Sequence, residues 1–495
     1  MVLHPMQHPS DRFWACPVNV NGLDRQSVTG LFEDDLFDLL RPTLAAASDP
    51  ETEFQVCREA GPISYGNLHD GVEGRVAALT RFLRQVRLSV DACPTVGNAC
   101  APLKFHSLSG DSHDGGKRPL VVETAQGPWV LKFADPRPHQ LLADILDEVS
   151  HGIGADLRPP AVIPDRDHQW YFMPYLEPNE RGGYEVDAFM FAAGALTAVA
   201  YGLRMVDLHL ENLLVFEGKP VIVDPECILY NFPSNGGRDR LLSTGLLSHN
   251  PGLSSLRGGD LSKQEIVQIG LCERSDGILD YRKPAASFRN RFRGSTGELA
   301  DPSEHRRSLF GGFTAAFEWF LGNAGLVSDI LDYWVADDFR IRYLVRKTRL
   351  YITAIHMLNL PVSCRYASWR DSVFSRFRQA GHFPKEVTES VVVAELTDMD
   401  ARDVPFFWVN AGEAVVRHRT GPKQPLPYGW NARKQAIHDI RSLSRCAMNH
   451  QIEVLTDFLD ADLRPLTTKR ASAGNRAAWA MHRNRISHPT MGACW

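Results

Sequence analysis

The sequence predicts an α+β fold with a small lobe, a larger lobe and helical segments on both sides. Two short β-prone runs, Leu120 to Thr124 and Trp129 to Phe133, flank Ala-Gln-Gly and predict a hairpin. Apolar residues at helical spacing dominate the segments around it, for example from Gly74 to Val90. The chain of 495 residues exceeds the usual single domain, so two or three structural units are expected.

The elements after the hairpin complete the small lobe. A helix from about His139 to Ser150 and a strand from Trp170 to Tyr175 are predicted. Hairpin, helix and strand in this order are typical of a small lobe that covers a nucleotide.

The larger lobe begins with a predicted helix, Val186 to Leu203, and two short strands, Leu213 to Phe216 and Pro220 to Val223. Residues 231–260 have the composition of a loop, and the chain beyond about 300 is expected to be largely helical to about 460. We therefore expect a mainly helical region at 1–104, a small lobe at 105–178, a large lobe at 179–300 and a helical extension with a polar tail at 301–495.

Composition excludes several classes of protein. The net charge of −5 and the lack of a long basic run favour neither nucleic acid nor a membrane surface as partner. Nucleic acid could bind only through a local basic patch. The apolar stretch from Ala188 to Leu203 is too short to span a membrane. Nine scattered cysteines without a CxxC pair favour reduced thiols in a cytoplasm over structural zinc.

The chemistry is concentrated in V-D-L-H-L-E-N-L-L-V and P-V-I-V-D-P-E, which contain Asp207, His209, Asn212 and Asp224. A carboxylate can orient an attacking hydroxyl and accept its proton. An asparagine and a second carboxylate can hold a divalent metal that bridges phosphate oxygens. A catalytic Asp, an Asn five residues later and an Asp after a hairpin predict a kinase-like, two-lobed core that uses ATP and Mg²⁺.

Each of these residues also has an ordinary structural explanation. Asp and Asn often cap turns and helices, and a single histidine is more often a hydrogen-bonded core residue. The combination, held by two apolar strands, favours the functional interpretation. Lys132 supports it, because a strand lysine contacts nucleotide phosphates in kinase-like sites, with Glu148 or Asp144 on the next helix as its acid. No P-loop sequence is present.

A glycine-rich segment, G-D-S-H-D-G-G-K, contains Asp111, His113, Gly115 and Gly116. A glycine pair permits close approach of the backbone to phosphate, and the Asp and His indicate acid–base chemistry beside it. A solvated turn is an equally good explanation from spacing alone.

A fourth segment, F-R-I-R-Y-L-V-R-K-T, places Arg342, Arg346 and Arg349 at the spacing of one helical face. Such a stripe could bind phosphate, although a solvated or salt-bridged face is commoner. Thr348 does not lie on this stripe.

Together these segments, with Lys132, resemble the dehydratase region of class II lanthipeptide synthetases of the LanM type. The likeness runs over roughly residues 105 to 455, and D-L-H-L-E-N to V-D-P-E is its most specific part. Weaker similarities are Thr244-Gly-Leu-Leu, Gly312-Phe313, Glu395 and Asp403-Val-Pro-Phe-Phe. The resemblance implies a lipid-kinase-related core that phosphorylates Ser or Thr of a precursor peptide and then eliminates phosphate to leave a dehydroamino acid.

The resemblance also implies a role for each matching residue. Phosphorylation would use Asp207, His209, Asn212 and Asp224, and Lys132 would contact the phosphates. The residues beside the nucleotide would also include Glu226, Gly115 and Gly116. Elimination would use Asp111, His113, Arg342 and Thr348, which can supply a base and stabilise departing phosphate.

The chain departs from the family pattern in several places. This chain has Lys132-Phe133-Ala134 where the family has Lys-Pro-Arg, and the nearby Arg137 is a candidate replacement for the missing arginine. It has Leu360-Pro361 where the family has His-Pro. The zinc-binding cyclase of the family is not recognised, so a separate cyclase is expected as partner. A kinase that stops at phosphorylation and a pseudokinase that only binds a partner are the competing hypotheses.

Overall fold

The computed structural model has an α+β fold with small antiparallel sheets, which confirms the predicted class. It describes residues 23–24, 26–28, 31, 61–97, 103–108, 111–177, 184–209, 212–230, 239–247, 269–273, 279–282, 292, 294, 300–359, 367–381, 387–426 and 431–460. The polar tail from Ala471 onward lies outside these residues.

Thirteen strands are described in this part of the chain. They are β1 (Phe105–Ser107), β2 (Leu120–Thr124), β3 (Gly127–Lys132), β4 (Ile163–Pro164), β5 (Tyr171–Pro174), β6 (Leu213–Phe216), β7 (Lys219–Ile222), β8 (Ile269–Glu273), β9 (Leu279–Arg282), β10 (Arg340–Tyr343), β11 (Phe407–Asn410), β12 (Val415–His418) and β13 (Gly421–Pro425).

The helices of the described part are α1 (Gly61–Ala92), α2 (Pro94–Gly97), α3 (Arg137–Ile153), α4 (Val186–Gly202), α5 (Arg240–Ser243), α6 (Arg306–Gly322), α7 (Ala324–Trp334), α8 (Thr348–Leu358), α9 (Ala367–Gln379), α10 (Glu389–Asp400), α11 (Ala432–Arg441) and α12 (Arg445–Asp460). No described helix combines the length and apolar character that crossing a bilayer requires.

The predicted small-lobe elements form one sheet. Its strand order is β1-β2-β3-β5-β4, and β2 and β3 are the predicted hairpin, with Thr124 opposite Gly127. One face of this sheet packs on α1 through a cluster that includes Phe82, Leu131 and Phe172. The sheet therefore gives Lys132, the last residue of β3, a fixed position.

Helix α4 is the centre of the main core, because almost every residue from Phe189 to Gly202 is buried. It crosses α6 at very short range: a Cβ on Gly194 would lie 1.9 Å from the carbonyl oxygen of Leu309, and one on Gly312 would lie 1.8 Å from that of Phe191. Only glycine permits this approach. The crossing brings the end of α4, and the chain after it, against the rest of the core.

The chain beyond residue 300 is largely helical to about residue 460, but it also contains a sheet that the sequence did not predict. Four antiparallel strands, in the order β10-β11-β12-β13, lie among helices α6 to α12. Ile341 and Tyr343 of β10 are buried and alternate with half-buried Arg340 and Arg342, which is the period of a strand. This sheet carries several residues of the site below.

Candidate active site

The loop after α4 holds Asp207 in a constrained backbone conformation. Asp207 has a φ of 65°, in the left-handed region that few residues other than glycine adopt. Backbone hydrogen bonds fix both sides: Val206 donates to Cys227 at 3.2 Å and Leu208 donates to Thr244 at 2.8 Å. A well-determined loop is what a positioned catalytic carboxylate requires.

Gly245 maintains this loop from the other side. It has a φ of 89°, and a Cβ there would lie 2.9 Å from the backbone nitrogen of Leu208. The Thr244-Gly245 pair thus supports the Asp207 loop.

The hairpin of β6 and β7 brings Asn212 and Asp224 together. Val223 donates its backbone N–H to the carbonyl of Asn212 at 3.0 Å, at the open end of the hairpin. The Asn212 side-chain nitrogen donates to the carbonyl of Asp207 at 2.8 Å and lies 3.3 Å from Nε2 of His209. Its amide oxygen, which takes no part in these two contacts, is the atom that can face a cation.

Lys132 pairs with Asp224. Its Nζ lies 3.1 Å from Oδ2 of Asp224 and donates to the carbonyl of Val223 at 2.8 Å. Burial acts to raise the pKa of Asp224, but the charge and hydrogen bond of Lys132, with Arg342, outweigh it and lower that pKa. Asp224 is therefore an anion beside Asn212.

The prediction that Glu148 or Asp144 on the following helix pairs with Lys132 is wrong. Asp144 of α3 accepts a hydrogen bond from the Trp334 indole at 2.7 Å, and Glu148 is exposed. The carboxylate that pairs with Lys132 is Asp224 itself.

Asp207 has the electrostatic character of a base. Burial raises its pKa, against the opposing effects of His209 and Arg342 and with the help of Asp224. A carboxylate with a raised pKa is a better proton acceptor than one in water.

Arg342 lies on strand β10, so the prediction of a helical arginine stripe is wrong. Its backbone N–H donates to the carbonyl of Glu226 at 3.0 Å, and its guanidinium forms an ion pair with the Glu226 carboxylate. Burial raises the pKa of Glu226 to about 7, although the charge of Arg342 opposes this rise. Burial acts to lower the pKa of Arg342, but the charge of Glu226 outweighs it and raises that pKa above its ordinary value. The pair adjoins Asp224 and Asp207, whose charges act on it.

Arg346, the second arginine of the supposed stripe, is a core residue. Its guanidinium is 1% exposed and donates to both oxygens of Glu395, at 2.8 and 3.1 Å. Tyr351 donates to the same carboxylate at 2.7 Å. This network joins α8 to α10 and leaves Arg346 no role with phosphate.

Phe406 joins His113 to Arg342. The His113 ring stacks on Phe406 with centroids 4.8 Å apart, and the Arg342 guanidinium lies 4.9 Å from the centre of the same ring. Burial, assisted by Arg342, lowers the pKa of His113 to about 4, so its imidazole is neutral near neutral pH. Sequence reasoning missed Phe406, although it lies in the Asp403-Val-Pro-Phe-Phe segment noted above.

Asp111 and Thr348 lie in the segments that carry His113 and Arg342. Asp111 is half-buried two residues before His113, and Thr348 is the half-buried first residue of α8, six residues after Arg342. Their assignment to elimination stays a prediction.

The glycine pair of the G-D-S-H-D-G-G-K segment is held by a buried carboxylate. The backbone N–H groups of Gly115 and Gly116 donate to Oδ2 of Asp403 at 2.7 and 3.2 Å. Arg75 of α1 binds the other oxygen of Asp403 at 2.6 Å, and Ser112 donates to it at 3.0 Å. The assignment of Gly115 and Gly116 to a nucleotide stays a prediction, and it would require phosphate to replace Asp403.

Arg137, which follows the place where the family has Lys-Pro-Arg, is paired with carboxylates of this chain. It is buried, binds Asp135 through Nε and Nη2 and pairs with Asp338 at 2.7 Å. Asp135 also accepts from the backbone of Arg340 at 3.2 Å. The cluster joins the start of α3 to β10.

The donor set of Asn212 and Asp224 suits a magnesium ion. No three His, Cys, Asp or Glu side chains of the described residues converge as a ligand group. One carboxylate and one amide oxygen, completed by phosphate and water, match the small protein ligand sets that Mg²⁺ takes in nucleotide sites.

Two histidines near the site predict a dependence of stability on pH. Burial lowers the pKa of His113 and of His139 from 6.5 to about 4. Because the pKa of each histidine is lower in the folded than in the unfolded state, acid favours unfolding. The stability that each neutral imidazole contributes is complete above pH 6.5 and is lost as the pH falls toward 4. We expect each to cost on the order of 2 kcal/mol of unfolding free energy over that range.

Urea unfolding at a series of pH values between these limits measures this loss. His139→Gln is expected to flatten the pH dependence, whatever it does to the stability near neutral pH. An unchanged slope in that variant would refute the assignment for His139.

Comparison with known proteins relates the chain to a protein family and to a biosynthesis protein. A family model described as "Domain of unknown function (DUF4135)" matches residues 73–410. The chain is also 24% identical over 254 residues to the lacticin 481/lactococcin biosynthesis protein LcnDR2 of Lactococcus lactis subsp. lactis. That match covers 46% of this chain and 26% of the relative, so the chain spans about a quarter of the protein it resembles.

Proposed function

Since this chain belongs to the DUF4135 family and is related to a lacticin 481 biosynthesis protein, we propose that it acts in lanthipeptide modification. Its substrate would be serine and threonine residues of a ribosomally made precursor peptide. The enzyme would phosphorylate the hydroxyl with ATP and Mg²⁺ and then eliminate phosphate to give dehydroalanine or dehydrobutyrine.

A kinase-like, two-lobed core is the architecture that this function would use. The sheet of β1 to β5 with α3, within residues 105–178, would be the small lobe over the nucleotide. Residues 179–300 would supply Asp207, Asn212 and Asp224, and residues 301–495 would add Arg342 and Thr348 to a helical extension. The region at 1–104 contributes α1, whose Arg75 binds Asp403.

Phosphoryl transfer would use Asp207, His209, Asn212, Asp224 and Lys132. The hydroxyl oxygen attacks the γ-phosphorus of ATP, ADP leaves, and Asp207 accepts the hydroxyl proton. His209 lies beside Asn212 and partly offsets the rise in the pKa of Asp207 that burial causes. Asn212 and Asp224 would hold Mg²⁺, which when bound offsets negative charge on phosphate oxygens. Lys132 supplies a further positive charge against the phosphates.

Elimination would use Asp111, His113, Arg342 and Thr348. The α-proton of the phosphorylated residue is removed, the bond from Cβ to the phosphate oxygen breaks, a carbon–carbon double bond forms and inorganic phosphate leaves. Neutral His113 and Asp111 are the candidates for proton removal, and the Arg342 guanidinium with the Thr348 hydroxyl would stabilise the departing phosphate.

One observation carries the preference for a dehydratase over a kinase that stops at phosphorylation. Arg342 is ion-paired to Glu226, two residues after Asp224, and lies over Phe406, on which His113 stacks. The residues of the two half-reactions thus adjoin one another, so that a phosphorylated side chain need not leave the site. A pseudokinase would have no use for this arrangement or for the Lys132–Asp224 pair.

Mass spectrometry after incubation with ATP, Mg²⁺ and the precursor peptide encoded nearby tests the proposal. We expect the peptide to lose water at serine or threonine, and to stay unchanged when ATP is omitted. Retained phosphate without water loss would identify a kinase. An unmodified peptide with no ATP turnover would contradict the proposal and favour a pseudokinase.

A further inference from the structure

A small cavity lies next to the candidate site, on the same face of the sheet of β10 to β13. It measures about 190 Å³. Its lining includes Arg340, Trp408 and Arg417 from the sheet, Arg137 from α3 with its partner Asp338, and the exposed Asp167 with His168 and Gln169 from the turn before β5. Pockets for drug-sized ligands usually exceed about 300 Å³, so this cavity suits a single side chain better than a nucleotide.

Arg340 is the cation that this cavity offers to a ligand. Arg137 is committed to Asp135 and Asp338, and Arg417 to Glu413. Within the described part of the chain, Arg340 forms no ion pair, and its guanidinium has only a hydrogen bond of 3.4 Å to the Gln169 side chain. His168 also has a buried ring nitrogen, Nδ1, with no hydrogen-bond partner among those residues.

Arg340 and Arg342 make equivalent contacts on one face of β10. Arg340 lies 5.6 Å from the centre of the Trp408 ring, as Arg342 lies 4.9 Å from that of Phe406. The two rings are 6.3 Å apart. Residues two apart on a strand are separated by about 7 Å and share a face. The two arginines are therefore spaced like alternate side chains of an extended peptide, so that each could bind one of them.

We propose that the cavity at Arg340 and Trp408 binds a carboxylate side chain of the peptide, two positions from the serine or threonine that lies at Arg342. The proposal rests on the proposed function, in which Arg342 binds the phosphate of the reacting residue. An extended peptide that places this residue at Arg342 presents the side chain two positions away to Arg340. A carboxylate there receives charge-assisted hydrogen bonds from the guanidinium and packs against the indole.

The test uses synthetic peptides with one serine and a Glu or Gln two positions before or after it, with no other acidic residue nearby. Binding is measured by fluorescence anisotropy, and modification by mass spectrometry with ATP and Mg²⁺. We expect the wild-type chain to bind one of the Glu peptides about tenfold more tightly than its Gln counterpart. Arg340→Gln is expected to remove this preference and leave the affinity for the Gln peptide unchanged.

Arg433→Gln is the matched control, since Arg433 is also half-buried, lies 3.7 Å from its nearest carboxylate and does not line the cavity. It should keep the wild-type preference. Equal binding of Glu and Gln peptides by the wild-type chain, or a preference that survives in Arg340→Gln, would overturn the inference. Weaker binding of an ATP analogue by Arg340→Gln, with an unchanged peptide preference, would overturn it in favour of a nucleotide subsite.

The two proposals fail in different ways. Selective binding of a Glu peptide without any chemical change would support the subsite and count against the dehydratase. Water loss at equal rates from Glu and Gln peptides would support the dehydratase and count against the subsite.

Discussion

Asp207→Asn is expected to reduce phosphate transfer to the peptide by about a hundred- to ten-thousandfold, the usual contribution of a general base. Asparagine is the informative replacement because it tolerates the left-handed conformation that Asp207 adopts, with its φ of 65°. Alanine would add backbone strain to the loss of the carboxylate and would confuse the two effects.

The measurement is the initial rate of ADP formation in the presence of peptide, followed by mass spectrometry of the product. Asp187→Asn, which changes an exposed carboxylate at the start of α4, is the control and should transfer phosphate at the wild-type rate. Thermal unfolding of Asp207→Asn verifies that it is folded. A wild-type rate in this variant would remove Asp207 from the mechanism.

Local patterns in the sequence were sufficient to predict the elements that hold the residues proposed for phosphorylation. Strands β2 and β6 have the predicted bounds, and α4 ends one residue earlier than predicted. These elements follow from the spacing of apolar side chains over a few residues, and the loop that contains Asp207 and Asn212 lies directly between two of them.

Strand β10 shows why other elements were not predicted. Its four residues alternate between half-buried and buried, but Arg342 and Arg346 also fit the spacing of a helix, and four residues are too few to decide between the two periods. Burial of Ile341 and Tyr343 against the core selects the strand. Arg346 then falls into the core beside Glu395, which no local pattern indicates.

Contacts across the chain explain the rest of the site. Arg342 and Glu226 are 116 residues apart, and Gly115 and Asp403 are 288 apart. Such pairs are set by the packing of the sheet of β10 to β13 against the loops around it. A glycine pair beside an Asp and a His resembles a phosphate loop in sequence, whereas its amides bind a carboxylate of the same chain.

Arg342→Gln is expected to separate the two half-reactions, so that phosphorylated peptide accumulates and phosphate release falls by about a hundred- to thousandfold. The guanidinium lies where it can stabilise the departing phosphate, over Phe406 and beside His113, whereas Lys132 and Asp224 on the transfer side stay paired. Arg342→Lys would keep the charge but lose the forked geometry, and should recover only part of the release.

The substitution has a structural cost that the experiment must separate from chemistry. Removing Arg342 leaves the half-buried carboxylate of Glu226 without its partner, and the cost is below the roughly 3–5 kcal/mol of a fully buried pair because water reaches this carboxylate. The double variant Arg342→Gln with Glu226→Gln removes both charges and should recover much of this stability. If the double variant is folded yet still fails to release phosphate, the loss belongs to chemistry.

A synthetic phosphoserine peptide makes the distinction independent of ATP. Given this peptide with ADP and Mg²⁺, the wild-type chain should release inorganic phosphate, and so should Asp207→Asn, because the base for transfer is not needed. Arg342→Gln, alone or with Glu226→Gln, should release it about a hundred- to thousandfold more slowly, and Arg342→Lys should release it at an intermediate rate. Arg342 is paired with Glu226 on one side and lies over Phe406, on which His113 stacks, on the other. Normal release of phosphate by a folded Arg342→Gln would mean that Arg342 only holds these residues in place and takes no part in elimination.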